Sequence, residues 1–90
     1  MSEEKDVVYV GKKDLMTYVM SVLSRFQRDA KKVTVKARGR AISRAVDIAE
    51  VARNRFMQNI KVSTIQIGSK AVEREGRNFN VSEIEIVLEV

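Results

Sequence analysis

Histidine, cysteine, proline and tryptophan are all missing from this 90-residue chain. Without cysteine there is no disulfide and no thiolate metal site. Without histidine, the common transition-metal ligand and the side chain that titrates near neutrality are both gone. Three Phe and two Tyr are the only aromatics, too few for a platform that stacks single-stranded bases. No nucleophile–base pair, phosphate-cradling glycine loop or zinc-ligand spacing occurs, so the chain is read as a binding protein rather than an enzyme, with no cofactor and no metal. No linker-like or low-complexity stretch and no repeat divides it, which predicts a single domain over residues 7–90 behind a disordered tail at 1–6. No apolar run approaches membrane-spanning length, and the N-terminus is acidic and polar, unlike a signal peptide. The expectation is a soluble protein inside the cell, with no membrane partner.

What the chain does have is positive charge, unevenly placed. The net charge is +5, but Lys12 to Lys61 carries 13 Lys/Arg against 4 Asp/Glu, a local net of +9, whereas Glu73 to Val90 has a net of −3. A basic middle predicts a basic face rather than a basic tail. A chain this short buries about 60–65% of its unfolded surface, so oligomerisation is the expected reinforcement.

Val7–Val10 is a short apolar run suited to a buried strand. Asp14 marks a helix start, and Leu15, Val19, Val22, Leu23 and Phe26 recur at helical spacing, with Met16 and Met20 beside them. Lys32–Arg38 alternates as a second strand, Ala41–Phe56 reads as a second helix, and Lys61–Ser69 and Val81–Val90 read as two further strands joined by a long charged hairpin. The fold class is therefore α/β: a βαβαββ two-layer sandwich, a four-stranded mixed sheet with two helices on one face. On a helical wheel Ala41, Ala45, Ile48, Ala49, Ala52 and Phe56 centre an apolar arc that Ile42, Val46 and Met57 widen to about half the circumference. An arc that wide implies two burial partners, the sheet and a second subunit; Arg53 falls inside it.

The densest charge lies at the corner between the second strand and the second helix. Alternation puts Lys36 and Arg38 on one strand face, Gly39 permits the turn, and Arg40 and Arg44 stack four apart on the helix. Four cations converge there with no carboxylate before Asp47. Such self-repulsion costs stability unless a polyanion offsets it, and nucleic acid is the commonest candidate. Arg44 can instead pair with Asp47. Lys12 and Lys13 precede a helix N-terminus, where backbone N–H groups also favour anions. Arg74 and Arg77 sit on the charged hairpin, where Glu73 and Glu75 partly cancel them, yet an arginine on a β arm suits a narrow minor groove. Phe56 is either core or a ring protruding at the last helical turn. Phe79 packs at the base of the arm or touches sugar, Tyr18 is surface packing, and Glu83, Glu85 and Glu89 are alternating charges that also protect a sheet edge.

Gly11-Lys12-Lys13 with Met16 and Tyr18-Val19, then Lys36-Ala37-Arg38-Gly39-Arg40-Ala41-Ile42-Ser43, Arg53-Asn54-Arg55-Phe56 and Val81-Ser82-Glu83-Ile84-Glu85-Ile86 together strongly resemble the Alba family of small archaeal chromatin proteins. The resemblance runs from about Val7 to Val90 in the same order. It implies a fold like the C-terminal domain of a bacterial translation initiation factor, homodimers, and binding to double-stranded DNA and RNA without strong sequence preference, in the cytoplasm and on the chromosome. It also implies that Lys12 and Lys13 meet the nucleic-acid backbone, that Arg38 and Arg40 belong to the same surface, that the hairpin from Lys70 to Asn80 follows the minor groove, and that Asn54, Arg55 and Phe56 join dimers side by side. Many relatives carry proline where this chain has Asp14 and Gln58; Asp14 sets a negative charge beside Lys13. The alternative function is a dedicated RNA-binding protein or ribonucleoprotein subunit, as relatives of the fold provide.

Overall fold

The computed structural model describes residues 6–90. Most of the predicted tail lies outside the described residues. Asp6 belongs to the sheet region, because its carbonyl accepts the N–H of Thr34 at 2.9 Å. The elements are β1 (Val7–Tyr9), α1 (Leu15–Gln27), β2 (Lys32–Arg38), a 3₁₀ turn (Gly39–Ala41), α2 (Ile42–Val51), a π-helical turn (Ala52–Phe56), β3 (Lys61–Arg74) and β4 (Arg77–Glu89). This is the βαβαββ order expected.

The sheet order is β1-β2-β4-β3, with β1 and β2 parallel and β4 antiparallel to both its neighbours. β4 is therefore a central strand. Its glutamates protect no edge; in register, Glu83, Glu85 and Glu89 stand directly opposite Arg38, Lys36 and Lys32. Opposite charges at such cross-strand sites contribute roughly 0.2–1 kcal/mol each. The expectation of an edge role fails because strand order is not encoded in alternation.

Alternation does set the faces. Val33, Val35 and Ala37 of β2 are buried with Ile86 and Leu88 of β4, and α1 and α2 cover them. From α1 the core receives Tyr18, Val19, Val22, Leu23 and Phe26; from α2 and the turn after it, Ala45, Ile48, Ala49 and Ala52. Truncating Ile48 or Leu88, both wholly enclosed, would cost about 2–5 kcal/mol. The helical layer rests on β2 and β4 and leaves β3 outboard. Val62, Ile65 and Ile67 pair with Leu88, Ile86 and Ile84, on the helix side of the sheet, yet remain exposed, Ile67 by 81%.

Two local features depart from expectation, the end of the second helix and the length of the last two strands. The second helix is not α-helical to Phe56. After Val51 it widens into a π turn, closed by the Met57 N–H on the Ala52 carbonyl at 2.9 Å. The corner glycine meets its expectation: Gly39 has φ +55, which it adopts without strain, and a Cβ there would find its nearest neighbour, Val81, at an ordinary 3.8 Å. The last two strands are longer than the alternating segments. They pair through Arg74 and Arg77 and turn on Glu75 and Gly76, whose φ values of 55 and 77 are those of a two-residue type I′ hairpin turn.

Candidate nucleic-acid interface

The loop from Gly11 to Asp14 connects β1 to α1 beside the corner where β2 enters α2. A cleft of about 540 Å³ lies between them, lined by Lys12, Arg38, Arg40 and Arg44 with Val10, Gly11 and Ala41. All its charged lining residues are cations. Both supports are local consequences of the sequence. Val10 still bonds the Lys36 carbonyl through its N–H at 2.9 Å, which carries the chain past the end of β1 alongside β2. Gly39 then swings Arg40 round from the strand to the helix.

Lys36 is not part of this cleft. It lies two residues back along β2 on the open face of the sheet, where its ammonium sits 5.8 Å from the centre of the exposed Tyr9 ring, a cation–π distance. That face forms a second hollow, of about 470 Å³, which Lys36 shares with Tyr9, Gln66, Lys70, Glu83 and Glu85; Arg38 borders both. Of the four corner cations, three converge as the sequence suggested, and Lys12 takes the place of Lys36. The corner is also less purely cationic than its local sequence, since Glu83 and Glu85 arrive from β4.

Arg44 makes no ion pair with Asp47. Its guanidinium donates to the Lys13 carbonyl, 31 residues earlier in the chain. The same loop is held from beneath by Tyr18, whose hydroxyl oxygen accepts the N–H of Gly11 at 2.8 Å and of Lys13 at 3.0 Å. Tyr18 is only 7% exposed, so the reading as surface packing is wrong. Leu15, Tyr18 and Val22 are spaced i, i+3, i+7, the signal that places Tyr18 on the apolar face. The two amides are therefore turned inward to the phenol rather than outward to an anion. Asp14, at the helix N-cap, bonds through its carbonyl to the Thr17 N–H at 3.0 Å, and its side chain caps nothing.

Along the hairpin the register puts Lys70 and Val81, Val72 and Phe79, and Arg74 and Arg77 on the face continuous with Arg38, while Glu73 and Asn78 point the other way. Glu73 thus shares no face with the arginines it was expected to cancel. Phe79, 43% exposed, packs across the ribbon from the half-buried Val72.

At the end of the second helical region Asn54, Arg55 and Phe56 are all exposed, Phe56 by 50%, so the ring is not core. Glu50 accepts from Arg53 at 3.0 Å and from Asn54 at 3.2 Å, which ties Arg53 within its own helix. Gln58 reaches back to the Asn54 carbonyl at 3.4 Å and so ties the end of this turn.

The family described as Alba matches residues 6–69, more than half of the chain. The chain is 50% identical over 86 residues to the DNA/RNA-binding protein Alba of Methanocella arvoryzae, covering 94% of this chain and 90% of that protein. It is 49% identical over 81 residues to DNA/RNA-binding protein Alba 1 of Archaeoglobus fulgidus, covering 90% and 91%. Among solved structures, Alba from Thermoplasma volcanium superposes with a TM-score of 0.89 at 40% identity, covering 93% of this chain and 99% of that one. ALBA1 from Trypanosoma brucei superposes at 0.79 with 26% identity, covering 98% and 71%.

Proposed function

The chain belongs to the Alba family, and from that premise we propose that it is a sequence-tolerant DNA- and RNA-binding protein which, as a homodimer, coats or compacts chromosomal DNA. The observation that carries the reading is the cleft at the corner, where Lys12, Arg38, Arg40 and Arg44 face one space with no carboxylate in its lining. Like charges held together in a folded chain raise the local potential, and a phosphate backbone neutralises it with release of counterions. Contacts of this kind position a duplex without reading its bases. Lys13, exposed beside Lys12, adds to the same surface, and Arg74 and Arg77 extend it along the hairpin towards the minor groove. Its place is the cytoplasm, on the chromosome. Among the described residues no helix is long and apolar enough to cross a membrane. The residues at the cleft suit binding, with no group placed to do covalent chemistry.

The second copy belongs on the uncovered apolar strip formed by Val62, Ile65 and Ile67 on the outermost strand, β3. Exposed apolar strips of this kind are covered in working assemblies, and a two-fold pairing of the same strip covers both copies at once. Phe56, Asn54 and Arg55 then stand free to meet the next dimer along a duplex.

Titrating short and long duplex DNA, duplex RNA and structured RNA across a range of salt tests this reading, with sedimentation in parallel. The expected results are a dimer at micromolar concentration, steep salt dependence on all ligands, and cooperative coverage of long DNA that Phe56→Ala abolishes without weakening binding to a short duplex. A folded monomer, or strong preference for one structured RNA over every duplex, would reject it in favour of a dedicated ribonucleoprotein role.

A further inference from the structure

We propose that Tyr18, together with Arg44, is a positioning residue that presets the Lys12–Lys13 loop for nucleic acid. The inference rests on the reading that this loop meets the phosphate backbone. The phenol oxygen has two acceptor lone pairs, and both are spent on one loop, on the N–H groups of Gly11 and Lys13 at 2.8 and 3.0 Å. The ring that carries the oxygen belongs to the buried core, so the loop is anchored to closely packed side chains. Gly11 permits the approach, since a Cβ there would already stand 3.3 Å from the phenol oxygen. The Arg44 guanidinium donates to the Lys13 carbonyl. Lys13 is thus held at both its N–H and its carbonyl, and Gly11 at its N–H.

Two consequences follow. The loop loses little conformational freedom on binding, because its backbone is already ordered. Its attraction for phosphate comes from the two ammonium groups, since the Gly11 and Lys13 amides are taken by the phenol. Arg44 contributes by holding the loop as well as by its charge.

The test is a mutant cycle on a short duplex, with wild type, Y18F, K12A/K13A and the triple variant, each also measured for thermal melting and for exchange of the Gly11 and Lys13 amide protons. Y18F keeps the ring and deletes only the acceptor. The expected result is about threefold to tenfold weaker binding, comparable to the removal of one hydrogen-bonded constraint. Adding Y18F to K12A/K13A should bring no further loss, and the two amides should exchange faster. A merely structural role predicts the same fractional loss in both backgrounds, tracking the melting temperature, and that outcome overturns the proposal, as does full binding by Y18F. If K12A/K13A binds like wild type, the backbone-contact reading of the loop fails first and the inference falls with it. Should Y18F not fold, R44K serves: it keeps the charge and removes the guanidinium fork. Its loss should likewise vanish in the K12A/K13A background, and a loss that persists there overturns the proposal.

Discussion

The corner cleft and the hairpin arm carry the same chemistry on opposite kinds of support. At the cleft, Lys12 projects from a loop tied by Tyr18 and Arg44 to the core, and Arg38 and Arg40 flank a single glycine turn. Along the arm, Arg74 and Arg77 stand at the end of a two-stranded ribbon whose residues are almost all exposed. A two-stranded ribbon alone is marginally stable, so on the proposed function the arm would be shaped by its ligand, whereas the loop at the cleft is already tied by hydrogen bonds. On the proposed function, the cleft would set affinity by presenting charge at fixed spacing, and the arm would adapt to the groove and add contacts at the expense of ordering. The tip sharpens the contrast. Arg74 and Arg77 are direct cross-strand partners, and like charges so placed destabilise a hairpin. A negative ligand relieves that repulsion.

The largest effect should come from the rigid side. Lys12→Glu with Lys13→Glu reverses charge where the loop cannot move away, so binding should fall by about 10- to 100-fold on every duplex alike. The salt slope should drop by about 0.9 for each phosphate that is no longer neutralised. Titrations on several sequences at several salt concentrations check this; a loss confined to some sequences would break the division of labour.

A smaller effect of divided sign is expected at the arm. Arg74→Ala with Arg77→Ala should weaken binding by about threefold to tenfold, because neither side chain then reaches phosphate or groove. The same change removes the cross-strand repulsion, so the free protein should be unchanged or more stable by about 0.2–1 kcal/mol. Melting and affinity moving in opposite directions would be the signature; a joint loss would mean that the arm is as structural as the loop.

The smallest effect tests pliability itself. Glu75 occupies a left-handed position, φ 55, where asparagine is better suited, and Gly76 follows it. Glu75→Asn should stabilise the ribbon by about 0.5 kcal/mol and tighten binding by about twofold, by ordering the arm in advance and removing a negative charge. NMR order parameters of the tip, measured with affinity, decide it. Weaker binding by a better-ordered arm would show that adaptation matters more than preorganisation.

Much of this was legible along the chain. The 2-residue alternation of Val33, Val35 and Ala37 and the helical spacing of Val19, Val22, Leu23 and Phe26 are properties of near neighbours, and they placed the strands, the helices and their inner faces. The basic corner and its glycine were equally local, and so was the width of the apolar arc on the second helix, whose residues Val46 and Phe56 are indeed left uncovered. What the tertiary structure alone decided involves residues far apart in sequence. Strand order put β4 in the middle and brought Glu83 and Glu85 opposite Arg38 and Lys36. Folding replaced Lys36 by Lys12 in the cleft and turned Arg44 from Asp47 to the Lys13 carbonyl. Periodicity shows which way a side chain points from its own element, whereas a hydrogen bond from a side chain to a distant peptide depends on where that element is docked. The Lys-Lys pair is therefore written in the sequence, and the clamp that aims it exists only in the fold.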